Sequence, residues 1–104
     1  MTLSKRDVTV VRVYLTEHEG KLPGLLTLLH DELKVGGLTV FRAVTGYGAS
    51  GKWHSSRFLE LSLDLPIVIE FYDEPGRAHV ALERLAQVCK PGHVIEWPAR
   101  TVMP

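Results

Sequence analysis

Leu38-Thr39-Val40-Phe41-Arg42-Ala43-Val44-Thr45-Gly46-Tyr47-Gly48-Ala49-Ser50-Gly51, and then, from residue 65, Leu65-Pro66-Ile67-Val68-Ile69-Glu70-Phe71, decide the architecture. Two short apolar runs rich in β-branched residues read as strands. Between them lies a glycine cluster that opens no helix, so it is not the fingerprint of a dinucleotide fold. It is not a Walker-type phosphate loop either, because Gly51-Lys52 is followed by Trp53. Glycines let the backbone take positive φ and come close to a ligand or another chain. A long loop inside a small domain is more often functional than a plain connector.

On the N-terminal side, Val8-Thr9-Val10-Val11-Arg12-Val13-Tyr14-Leu15 reads as a strand with both alternating faces largely apolar. Thr16 to Lys21 is a polar connector. Leu22, Leu25, Leu26, Leu29 and Leu33 then recur at helical spacing, with Pro23 in the first turn and Gly36-Gly37 as the stop. On the C-terminal side the third strand spans roughly Leu63 to Tyr72, with Pro66 near its start or at an edge. Asp73-Glu74-Pro75-Gly76 caps a second helix, whose stripe is Ala78, Ala81, Leu82, Leu85 and Cys89. Lys90-Pro91-Gly92 ends it. Val94 to Trp97 and Thr101-Val102 form a last strand interrupted by Pro98.

The order strand, helix, strand, strand, helix, strand is a ferredoxin-like βαββαβ sandwich of the α+β class. Two helices cover one face of a four-stranded antiparallel sheet. The other face, carrying Val8, Val10, Tyr14, Val68 and Tyr72, is too apolar to meet water and is expected to lie between subunits. The chain of 104 residues fits one domain, 1–104.

Twelve basic residues balance twelve acidic ones, which argues against a nucleic-acid-coating protein. The single cysteine, Cys89, forms no internal disulfide and suits core packing in a reducing compartment. Nothing in the first residues resembles a secretory signal, and no apolar run reaches membrane-spanning length. A cytoplasmic protein, not itself membrane-inserted, is expected.

The five histidines, His18, His30, His54, His79 and His93, stand at no zinc-type spacing, and no metal site is expected. His54, Ser55, Ser56 and Asp64 assemble into a hydrolytic triad only on paper, so no catalytic residue is expected. The glycine stretch itself offers more. Lys52, His54 and Arg57 supply positive charge, Tyr47 and Trp53 aromatic faces, and Ser50 with Ser55 and Ser56 hydroxyls. Backbone N–H groups of a glycine turn can form an anion nest. Lys90 stands at a helix C-terminus, where a cation is favourable in any case. Arg100 lies beyond Pro98 on the last strand.

Residues 39–54, followed by Leu61-Ser62-Leu63-Asp64-Leu65-Pro66-Ile67-Val68-Ile69-Glu70, carry the pattern R…GxGASGxxH…LSxDLPxVIE. This pattern resembles the DUF190 family of small proteins similar to PII signalling proteins, over nearly the whole chain. The resemblance implies a PII-like fold, a homotrimer, and adenine nucleotide binding in clefts between subunits. It also makes the loop after the second strand the counterpart of the partner-contacting T-loop. Matched by position, Gly46-Tyr47-Gly48 resembles the ligand-facing base of that loop. Lys90 and Gly92 resemble a phosphate-facing turn, and Ala99-Arg100 an alanine–arginine pair whose arginine reaches a neighbour's nucleotide. The loop is shorter than a PII T-loop and lacks a counterpart of its modified tyrosine. The turn at 90–92 is also shortened.

The expectation is therefore a non-enzymatic PII-like regulator. It would bind AMP, ADP, ATP or cyclic AMP through Gly46, Tyr47, Gly48, Lys90, Gly92 and Arg100. It would contact a transporter, channel or enzyme through loop 48–60, with Ser50, Gly51, Lys52, Trp53, His54 and Arg57 as the contact residues. Gly46-Tyr47-Gly48 is the base and Ala49 to Glu60 a mobile tip. The alternatives are a trimeric interaction protein with no small ligand, and a metal-binding protein of the same fold.

Overall fold

The computed structural model describes residues 2–48, 50–55 and 65–104, with the backbone alone at His54 and Ser55. The main sheet has four antiparallel strands: β1 (Ser4–Thr16), β2 (Leu38–Arg42), β5 (Pro66–Asp73) and β6 (Val94–Met103), in the order β2-β5-β1-β6. Two helical segments pack on one face. The first is α1 (Leu22–Thr27), which runs on into a π turn, Leu28–Glu32; the second is α2 (Pro75–Val88). This is the βαββαβ sandwich read from the sequence. A further antiparallel pair, β3 (Thr45–Tyr47) with β4 (Trp53–Ser55), stands apart from the main sheet.

The two-residue period of strands sorts the side chains. Val11, Val13 and Leu15 of β1 and Ile67, Ile69 and Phe71 of β5 are buried against Leu25, Leu28, Leu29, Ala78, Ala81 and Leu85 of the helices. Cys89 packs at the rim of this core, and burial pushes its thiol pKa up. Tyr14, Phe41, Tyr72 and Ile95 instead stand exposed, at register positions on the opposite face.

Four local expectations are corrected. Gly36-Gly37 does not turn the chain out of the first helix; neither glycine has positive φ. Lys34 does so, at φ 51°. Leu33 N–H donates to the Leu28 carbonyl (2.9 Å), the i to i−5 bond of the π turn, and Val35 N–H to that of Leu29 (3.0 Å), which closes the chain end around a lysine in the left-handed position. Arg77 of α2 holds it in place by donating from Nη2 to the Lys34 carbonyl at 2.6 Å, while its Nε donates to Asp73 Oδ2 at 3.0 Å.

Leu28, outside the predicted stripe, is buried, because three residues after Leu25 it shares that residue's helix face. Pro98 does not interrupt β6. It lies opposite Thr9 in an unbroken ladder, and an edge strand has one side where a missing N–H costs nothing. The second strand ends at Arg42 rather than Thr45. The predicted start of the third strand, Leu63 and Asp64, lies outside the described residues; β5 is described from Pro66.

Lys90-Pro91-Gly92-His93 closes a turn in which His93 N–H donates to the Lys90 carbonyl (3.1 Å) and Gly92 sits at φ +80°. Proline then glycine at the two central positions is the sequence of a type II turn.

Two substitutions test these backbone assignments. Lys34→Gly removes the left-handed penalty while leaving the carbonyl that Arg77 grips. The urea midpoint should rise, by the equivalent of about 0.5–1 kcal/mol after glycine's extra unfolded-state entropy; a fall would show that the lysine side chain is needed. Gly92→Ala meets no atom within 4 Å, so its cost is conformational alone. It should lower stability by about 1–2 kcal/mol in the same denaturation experiment.

Candidate functional site

The site is built at the end of the sheet where β1 leaves and β5 enters. Thr16 pairs with Pro66, and Glu17 N–H donates to the Leu65 carbonyl at 3.0 Å. The chain then makes a short 3-10 turn, Glu17–Glu19, before α1. This turn faces two basic residues. The Glu17 carboxylate pairs with Arg42 Nε at the end of β2. The Glu19 carboxylate lies 3.7 Å from Lys90 Nζ in the turn before β6. Both glutamates are largely covered, at 16% and 15% side-chain exposure, whereas Arg42 and Lys90 are open at 64% and 57%. The acids are thus held by the fold and the cations reach in from solvent.

The described part of the glycine stretch forms a hairpin, while Ala49 and residues 56–60 of the expected mobile tip lie outside the described residues. Ala43 N–H donates to the Pro66 carbonyl (2.9 Å), and the chain re-enters strand conformation at Thr45. Gly46 pairs with His54 and Tyr47 with Trp53. A β-carbon on Gly46 would come within 3.2 Å of Pro66 Cγ, so close approach of β3 to β5 accounts for this glycine. Gly51 N–H donates to the Gly48 carbonyl (2.9 Å), with Gly51 in the left-handed region at φ +73°. Lys52 N–H donates to Ser50 Oγ at 3.3 Å.

The rings of Tyr47 and Trp53 meet edge to face, centroids 4.7 Å apart at 71°. The residue expected to line a ligand cleft thus touches one expected to contact a partner. Ala49, Ser56, Arg57 and Asp64, and the segment to Glu60, lie outside the described residues.

The six expected ligand residues fall into two groups. Gly46, Tyr47, Gly48, Lys90 and Gly92 are at this end of the sheet, on either side of the Glu17–Glu19 turn. Arg100 is elsewhere. It pairs with Asp7, whereas β6 begins with Val94 opposite Val13. Six residues of strand put it roughly 20 Å away along the edge. One copy of the chain does not bring Arg100 and Lys90 together.

Sequence reading missed the acidic turn. Glu17 and Glu19 stood in a connector with only its polarity to recommend it, and their partners lie on two other elements. Reading also missed Arg12. On the open face its Nε donates to Glu70 at 2.8 Å and its guanidinium stands over Trp97, 5.6 Å from the ring centroid. Contacts with Tyr14 first and Glu70 second raise its pKa further.

Among the described residues no group of three or more His, Cys, Asp or Glu could hold a metal ion, and no helix is long and apolar enough to cross a membrane.

Comparison with known proteins places this geometry. Residues 8–101 match the family model DUF190, "Uncharacterized ACR, COG1993". A UPF0166 protein of Aquifex aeolicus is 37% identical over 49 residues, a stretch covering 47% of this chain and 47% of that protein. The chain thus matches about half the length of that curated relative. Among solved structures, apo CPII of Thiomonas intermedia K12, a nitrogen regulatory PII-like protein, superposes with a TM-score of 0.68 at 15% identity, covering 99% of this chain and 100% of that one. CPII bound to ADP and bicarbonate gives 0.66 at 14% identity, covering 96% and 91%. A PII-like signalling protein of Thermus thermophilus gives 0.58 at 19% identity, covering 99% and 93%. With a PII-like fold shared along nearly its whole length and a family match over residues 8–101, the chain belongs to the DUF190 family.

Proposed function

We propose that this protein is a non-enzymatic PII-like regulator that binds an adenine nucleotide between copies of the chain. Its hairpin after β2 would contact a regulated partner, a transporter, channel or enzyme. The observation that carries the reading is the separation of the basic residues. Lys90 and Gly92 sit at one end of β6 and Arg100 at the other, so they meet on one ligand only across a subunit boundary. The open sheet face supports such a boundary. Tyr14, Phe41, Tyr72 and Ile95 are exposed there beside the half-buried Val10, Val68 and Trp97, an apolar surface that association would remove from water. A homotrimer, as PII resemblance implies, would bury it.

The ligand class rests on chemistry as well as resemblance. Lys90 offers an exposed ammonium for phosphate, and Tyr47 with Trp53 offers exposed aromatic faces for a base. CPII, of the same fold, has been solved with ADP. His54 lies across from Gly46 at the root of the hairpin. Ligand at the base would shift the hairpin between partner-competent and partner-silent states.

One observation favours a second reading, a trimeric interaction protein with no small ligand. Lys90 already has a carboxylate partner, and the type II turn by itself explains Gly92. A partner captured equally with and without nucleotide would favour it.

Thermal shift with AMP, ADP, ATP and cyclic AMP decides between them. A ligand at a hundred times its Kd stabilises by about 2.7 kcal/mol, which should raise Tm by several degrees; no shift up to millimolar ligand removes the nucleotide reading. Native mass spectrometry of gently purified protein should show a trimer. A monomer at micromolar concentration would remove the intersubunit cleft, and Arg100 with it.

A further inference from the structure

We propose that Glu19 is a built-in competitor for the ligand: its carboxylate holds Lys90 in the place of a phosphate and sets how tightly an anion can bind. The inference rests on the reading of Lys90 as a phosphate contact and adds a residue to it.

A surface ion pair between two flexible, exposed side chains would carry no such meaning. Here the acid is 15% exposed and the base 57%, with 3.7 Å between Oε1 and Nζ. Glu19 belongs to a turn fixed at its start by Glu17 N–H donating to the Leu65 carbonyl and at its end by Gly20 N–H donating to the Glu17 carbonyl. The acid therefore stays where it is, and the lysine can leave. The Lys90 backbone is held in its turn, where His93 N–H donates to the Lys90 carbonyl. An arriving phosphate must either draw the ammonium off Glu19, leaving that carboxylate uncompensated nearby, or share the ammonium with it, and both weaken binding.

The neighbouring Glu17 repeats the arrangement with Arg42, the last residue of β2 before the hairpin. One turn thus contacts both the phosphate-facing turn and the root of the hairpin. Release of Glu19 has a physical route to the partner-contacting element.

Removing the charge should tighten anion binding. ADP affinity of Glu19→Gln, measured by calorimetry at low salt, should exceed wild type by about three- to tenfold, from the lost pairing and the lost repulsion of phosphate. The gain should shrink at high salt and fall in a Lys90→Ala background, where only the direct repulsion of phosphate is left to relieve. Inorganic pyrophosphate, which has no base to stack, should show the same ratio. Glu19→Ser serves as a second variant if the glutamine protein does not fold.

Equal or weaker ADP binding by Glu19→Gln, with wild type binding normally, overturns this inference and leaves the nucleotide reading standing. An undiminished gain without Lys90 also overturns it, since Glu19 would then act through another group. No binding of either probe to any variant overturns both readings.

Discussion

The structure depends on the register of β1 between β5 and β6. Val11 faces Phe71, Val13 faces Ile69 and Leu15 faces Ile67, and all six are buried beneath the helices. A slip of one residue would turn Arg12 and Tyr14 into the core and lift these residues out of it. The same register sends Val10, Arg12 and Tyr14 to the open side, opposite Tyr72, Glu70 and Val68. Core and open face are thus two consequences of one alignment. Deleting a large side chain such as Phe71 from such a core costs about 3–5 kcal/mol, a substantial part of the roughly 5–15 kcal/mol that holds a typical domain together.

Helices on one face only leave the sheet with unequal sides, and this shapes the candidate site. The open face is apolar but not uniformly so. Arg12 and Glu70 pair at its middle, with Trp97 beneath the guanidinium. If association covers this face, the pair moves out of water, where a hydrogen-bonded partner is what keeps each charge tolerable. At one end of the sheet the Glu17–Glu19 turn gathers Arg42 and Lys90, and at the other Arg100 stands opposite Asp7. On the function proposed above, packing copies against each other would join these two ends.

Most of the fold was legible because it rests on local rules. Val11 and Val13 alternate with polar or half-apolar neighbours, and the Ala78, Ala81 and Leu85 stripe recurs at helical spacing. The family resemblance came from a pattern in two stretches, one around the glycines and one from Leu61 to Glu70. What was misjudged depended on neighbours that composition cannot reveal. Lys34 takes the left-handed role because Arg77, on the other helix, grips its carbonyl, although two glycines stand just beyond it. Pro98 is harmless because β6 is an edge, a fact of strand order and not of strand sequence. The glycines looked flexible, yet Gly46 lies close against Pro66, and Tyr47 and Trp53 meet edge to face across the hairpin.

The order of elements, the buried stripe of α2 and the alternating faces of the central strands are written along the chain itself. Each of these follows from a period of two or of about 3.6 residues. Which charges meet is a matter of tertiary packing. Glu17 with Arg42, Glu19 with Lys90 and Arg12 with Glu70 join residues far apart in the chain. No periodicity encodes such pairs; they exist because the strand order β2-β5-β1-β6 brings the end of β1 near the end of β2 and the turn before β6, and sets Arg12 opposite Glu70.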